Sequence, residues 1–215
     1  GDKLYTVCMG KAVALFRLGE QPLSTGLNIL GAHVDSPRLD IKQNPLFEAG
    51  ELAFLDTHYY GGIKKYQWVT LPLALHGVVV KKDGQTVDIV IGEDADDPVF
   101  CVTDLLIHLA QEQLEKKGAR VVEGEALNLL VGNAALADID AADKGDEQKK
   151  AAKQAVKANI LRLLEEKYGL QEEDFISAEL EVVPAGAARE SGLDRSMILA
   201  YGQDDSACAY PSLRA

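Results

Sequence analysis

Two apolar runs lying far apart in the chain end in the same way, and no other feature restricts the possible folds as much. The first run, within "LNILGAHVDSP", reads as a buried strand from Leu27 to Ala32 that delivers His33 and Asp35 to its C-terminal end. The second, within "SMILAYGQDDSACAYP", reads as a strand from Met197 to Tyr201, a tight turn, the paired carboxylates Asp204 and Asp205, and the start of a helix. Open α/β sheets place ligands just outside the carboxyl ends of their strands. The two ends are therefore expected to meet.

The material between them has a different character. The opening "KLYTVCMGKAVALFRLG" predicts a hairpin turning at Met9-Gly10, followed by a loop from Gly19 to Gly26. Residues 66–91 hold β-branched runs separated by Lys82-Asp83-Gly84, a second hairpin signal. Apolar positions Val102, Leu105, Leu106, Leu109 and Leu114 fall near helical spacing and predict a helix over 102–116. Residues 138–150 are polar and patternless, which suggests a surface loop or disorder. A further helix is expected from Gln148 to Tyr168, stopped by Gly169, and "ISAELEVVP" alternates like an edge strand ending at Pro184. The chain is thus expected to leave an α/β sheet, build an α+β unit over 38–194, and return. Residues 1–37 and 195–215 would form the interrupted domain.

Composition narrows the function classes. A chain of 215 residues at 47% hydrophobic content can bury a substantial core. No apolar run reaches the roughly 18 to 20 residues of a membrane span, and the N-terminus lacks a signal-peptide layout, so a soluble cytoplasmic protein is expected. The formal charge of −12 argues against nucleic acid or an anionic membrane as partner. Three widely spaced cysteines, Cys8, Cys101 and Cys208, indicate neither a disulfide framework nor a thiolate zinc site.

The chemistry concentrates at the strand ends. His33 and Asp35 flank one residue, so on an extended backbone their side chains share a side. Imidazole is a common zinc ligand, and a carboxylate on its other nitrogen fixes the tautomer. His-x-Asp therefore fits a ligand with its orienting acid, and it equally fits a hydrogen-bonded structural pair. Asp204 and Asp205 divide similarly between a carboxylate bridging two cations and ordinary charges at a helix start. His108, set among Leu106, Ile107 and Leu109, fits a half-buried helix histidine, and His58 and His76 carry no specific signal. Tyr59-Tyr60-Gly61-Gly62 reads as a turn with positive φ values, and Lys64, Lys65 and Trp68 as surface or interface residues.

Taken together, "GAHVDSPRLDIKQNPLFE", "THYYGGIKKYQW", "VIGEDADDPVF", "SAELEVVPA" and "GLDRSMILAYGQDD" resemble the M18 family of metalloaminopeptidases, in particular its bacterial branch, over nearly the whole chain. The resemblance implies an α/β fold: a partial zinc-exopeptidase α/β/α domain interrupted by an inserted α+β dimerisation domain. It implies that His33 is a metal ligand, that Asp35 orients it, and that Asp204 bridges two metals. It also implies that His108 reaches a neighbouring subunit's active site. Two zinc ions per site are expected, with cobalt or manganese as substitutes, acting on the N-terminal peptide bond of peptide substrates, in homodimers that build into a dodecamer.

Two departures stand out. Ser206 follows the paired aspartates where bacterial relatives usually carry arginine. The family's general base, its neighbouring glutamate, another aspartate and a second histidine ligand would lie beyond Ala215, so the chain is expected to be a fragment of a longer protein. The alternative expectation is a catalytically inactive assembly module. An acidic calcium site is weaker still, because no DxDxDG loop is present.

Overall fold

A computed structural model describes residues 1–136 and 154–215. The predicted loop over 138–150, and the first residues of the helix expected from Gln148, lie outside them. The chain divides into two compact units, one formed by Gly1–Val34 with Asp205–Ala215, the other by Asp35–Asp204.

The first unit is built around the predicted hairpin. Strands β1 (Lys3–Cys8) and β2 (Ala12–Arg17) pair antiparallel from Lys3↔Arg17 to Cys8↔Ala12. Met9 and Gly10 both take positive φ, 52° and 70°, giving the right-handed twist that a tight hairpin turn needs. The expected strand over Leu27–Ala32 does not form: those residues are irregular, and Leu27, Ile29 and Leu30 are 65%, 82% and 65% exposed. A strand exists only against a partner that takes its backbone hydrogen bonds, and none among the described residues pairs with this segment. Its apolar sequence survives as an exposed face.

The second unit carries the core. A seven-stranded sheet runs in the order β6-β5-β9-β3-β4-β8-β7, from β3 (Arg38–Ala49), β4 (Leu52–Tyr60), β5 (Leu73–Val80), β6 (Thr86–Ile91), β7 (Cys101–Val102), β8 (Leu129–Gly132) and β9 (Ala178–Pro184). Every paired neighbour is antiparallel. Leu39, Leu73, Leu75, Leu129 and Val182 fill one buried cluster with Trp68, which belongs to the core and not to a surface or interface as its sequence context suggested. The Lys82–Gly84 hairpin forms as expected, with Gln85 N–H donating to Asp83 Oδ1 at 2.9 Å. A short pair, β10 (Arg189–Ser191) with β11 (Met197–Leu199), completes the strands, and β11 is exposed throughout.

Two further expectations are corrected. β9 is interior, flanked by β5 and β3. Its alternation reflects a sheet with one polar face, a pattern that does not separate edge from centre. The helix predicted over 102–116 shrinks to α1 (Gln111–Leu114), preceded by a 3₁₀ turn at Ile107–Leu109. Val102 is drawn into β7 at 1% exposure, while Leu105, Leu106, Ile107 and Leu109 stay 56–72% exposed. Short helices depend on packing of an apolar face, and none is packed here. By contrast α2 (Ala155–Tyr168) lies on the sheet through Val156, Ile160, Leu161 and Leu164. Glu48 Oε2 accepts Lys157 N–H at its start, and Gly169, at φ 64°, ends it with its N–H bonded to the last turn. Helical turns α3 then cover Gln203–Arg214, with Asp204 off the helical conformation at φ −90°, ψ 109°.

Candidate functional site

The candidate residues fall in both units, and each group has its own geometry. In the first unit, His33 Nε2 lies 2.8 Å from Asp205 Oδ2, with side-chain exposures of 68% and 27%. Asp205 thus does more than offset the charge of a helix start: it binds an imidazole. The pair is a nitrogen and oxygen donor set held at hydrogen-bond distance on an exposed segment.

In the second unit, Asp35, Ser36 and Pro37 form the strap that enters β3. Ser36 Oγ donates to the carbonyl of Asp204 at 2.9 Å, across 168 positions of sequence. The Tyr201 hydroxyl donates to the Pro37 carbonyl at 2.8 Å, across 164 positions. The strap and the 201–204 turn are therefore fastened twice, and the extended backbone of Asp204 is what presents its carbonyl to Ser36. Tyr201 keeps 41% of its surface exposed, yet partial burial of the phenol pushes its pKa up to about 12, with Arg38 nearby pulling the other way.

The Asp35 carboxylate accepts a hydrogen bond from the Tyr60 hydroxyl at 2.7 Å. That bond, and then the charge of Asp35, raise the Tyr60 pKa above its ordinary value. The Arg38 guanidinium carbon sits 4.2 Å from the centre of the Tyr60 ring. Arg38 Nε in turn reaches Asp40 Oδ1 at 2.8 Å and Glu181 Oε1 at 3.0 Å. Partial burial opposes the Arg38 charge, and the Glu181 and Asp40 carboxylates outweigh it, leaving the pKa raised. Tyr60 is the last residue of β4, not part of a turn; of the pair that follows, Gly61 has positive φ, 77°.

The other histidines stand elsewhere. His108 lies exposed on the 3₁₀ turn Ile107–Leu109. His58 stacks on Tyr59 with ring centroids 5.3 Å apart, and His76 Nε2 meets Glu93 Oε1 at 2.8 Å. A cavity of about 410 Å³ in the second unit is lined by His76, Glu93, Glu181, Val183, Ala200 and Tyr201, among others. Sequence reasoning passed over Ser36, Arg38, Tyr60 and Tyr201 as site residues, because their roles are hydrogen bonds to residues distant in the chain.

Imidazole nitrogen and carboxylate oxygen suit zinc by donor type. Among the described residues, however, no group of three or more His, Cys, Asp or Glu converges as a metal would require. The donors present fit as part of a ligand set.

Known proteins match this chain over its whole length. The family model described as "Aminopeptidase I zinc metalloprotease (M18)" matches residues 1–215. A curated relative from Clostridium acetobutylicum, "Probable M18 family aminopeptidase 1", is 60% identical over 215 residues, which is 100% of this chain and 44% of the relative. The crystal structure of aminopeptidase I from that organism is 58% identical, with a TM-score of 0.87 over 98% of this chain and 44% of that one. An M18-family aminopeptidase structure from Thermotoga maritima is 48% identical, with a TM-score of 0.85 over 98% and 44%. The chain spans less than half the length of the relatives it matches.

Proposed function

The chain belongs to the M18 family of zinc metalloproteases, and on that premise we propose that the whole protein is a metal-dependent aminopeptidase that removes the N-terminal residue from peptides. The observation that carries the reading is the double fastening of the Asp35–Pro37 strap to the Tyr201–Asp204 turn. It joins, within the second unit, the segment that bears Asp35 to the one that bears Asp204. His33 and Asp204 are assigned as metal ligands, Asp35 as the acid that orients His33, and His108 as a residue serving a neighbouring subunit's site. Asp205, through its contact with His33, holds the imidazole in place.

Zinc bound there would polarise the scissile carbonyl and supply an activated water. What this chain's own residues do is narrower. Ser36 and Tyr201 fix the backbone on which the carboxylates ride, Tyr60 holds one oxygen of Asp35, and Asp205 limits the rotation of His33. Two ions per site belong to the same proposal, as does the expectation that cobalt or manganese can replace zinc.

Assembly is the second part of the reading. Leu105, Leu106, Ile107 and Leu109 flank His108 and are 56–72% exposed, a larger apolar stretch than a solitary surface needs. This supports a homo-oligomer, with the homodimer and dodecamer as its finer form, and it is also the observation that favours a purely structural role for this chain. No helix among the described residues is long and apolar enough to cross a membrane; a cytoplasmic location belongs to the proposal, as does the lack of a nucleic-acid partner, which the net charge of −12 supports.

Hydrolysis of an aminoacyl-p-nitroanilide by the whole protein, with added zinc or cobalt, tests the reading. Wild type should turn over and His33→Ala should not, while both keep the same oligomer. Full activity in His33→Ala would end the ligand assignment.

A further inference from the structure

The Asp35 carboxylate is not left to find its own orientation. It is buttressed by a stack that begins in the middle of the sheet: Asp40 and Glu181, Cα partners across β3 and β9, grip Arg38; the Arg38 guanidinium carbon sits over the Tyr60 ring; and the Tyr60 hydroxyl donates to Asp35. We propose that Tyr60 and Arg38 are positioning residues that set the orientation of Asp35 and, through it, the affinity of the whole protein for zinc.

This rests on the reading of Asp35 as the acid that orients His33. The physical case is specific. A phenol donating to a carboxylate makes a charge-assisted bond, shorter and stronger than a neutral one, and 2.7 Å falls in that range. Arg38 and Tyr60 are themselves Cα partners at the mouth of the β3–β4 hairpin, so the guanidinium and the ring are placed by the sheet and not by a loop. The guanidinium has a second function here: its positive face over the ring restricts the swing of the phenol. Two carboxylates from adjacent strands hold the Arg38 Nε and so keep the guanidinium at the ring. Every member is fixed by the one before it, and the chain ends on the carboxylate that the mechanism needs oriented. Partners of this outer kind typically change metal affinity by roughly 10–100-fold when removed.

The test is zinc affinity of the whole protein, measured by competition with a chromogenic chelator between pH 6 and 8, with no substrate present. Tyr60→Phe keeps the ring under Arg38 and removes only the donor; it should weaken zinc at least tenfold. Arg38→Lys keeps the charge and loses the planar face, and should weaken zinc in the same direction by less. Tyr66→Phe, which deletes an exposed hydroxyl outside the stack, should match wild type. His33→Ala serves as the reference for loss of the site. If Tyr60→Phe binds within twofold of wild type while His33→Ala loses zinc, the buttress is refuted and the metal reading stands. If His33→Ala itself binds zinc undiminished, the metal reading falls and the buttress with it. A Tyr66→Phe loss equal to that of Tyr60→Phe would also refute the proposal.

Discussion

Gly77, in the middle of β5, offers the sharpest test of the sheet that places the site. Its φ is 142°, and a Cβ built on it would fall 1.9 Å from the Glu179 carbonyl oxygen and 3.0 Å from the Leu180 Cα. Reaching even the lower bound of real contacts, 3.0 Å, demands that β5 and β9 part by about 1.1 Å. Neither strand has room to yield, because β6 flanks β5 and β3 flanks β9. A shift of that size carries adjacent ladder bonds from about 2.9 Å to about 4.0 Å, beyond hydrogen-bonding range. Two lost interior bonds at about 1 kcal/mol or more each, with about 1–2 kcal/mol for an alanine at that φ, predict that Gly77→Ala costs about 3–5 kcal/mol. Urea unfolding of the chain followed through its single tryptophan, Trp68, buried in this core, should show the midpoint falling by more than about 1 M. Gly84→Ala separates the causes: its φ is 86° with nothing within 4 Å, so it should lose only about 1–2 kcal/mol. Equal midpoints for Gly77→Ala and wild type would refute the close approach of β5 to β9.

Two further outcomes follow from the same geometry. The Tyr201 phenol, raised from 10.0 to about 12, favours the folded state while neutral, so its contribution is complete below about pH 10 and is lost as pH rises through about 12; alkaline unfolding curves of wild type and Tyr201→Phe should converge over that window, and parallel curves would contradict the assignment. Glu48→Ala removes the acceptor of Lys157 N–H at the start of α2 and should lower stability by about 1 kcal/mol in thermal or urea melts, with no change meaning that water replaces it without cost.

Local signals were legible in the sequence, and long-range ones were not. Met9-Gly10 and Lys82-Asp83-Gly84 announce their hairpins because a tight turn is decided by its own φ preferences. The Gly50-Glu51 turn between β3 and β4 escaped notice, since glutamate at φ 61° is an unfavoured choice that the surrounding ladder imposes. The runs at 27–32 and 102–116 misled for one reason: apolar spacing describes a face, but only a packing partner turns it into a strand or helix. His33, Asp35 and Asp204 stand out by residue type at the ends of apolar runs, and the roles proposed for them come from the family resemblance. Tyr60 and Arg38 could not, and the cause is register. Continuing the Ala49↔Leu52 pairing back along the hairpin would set Arg38 opposite Ile63, whereas the irregularity between Ile41 and Leu46 shifts it onto Tyr60.

The metal-ligand roles proposed for His33 and Asp204, on which the account turns, are tested most directly by counting zinc in the whole protein after exhaustive dialysis. About two ions per chain are predicted for wild type, with His33→Ala and Asp204→Asn each falling to one or none. Undiminished zinc in both variants, at wild-type affinity, would contradict the account.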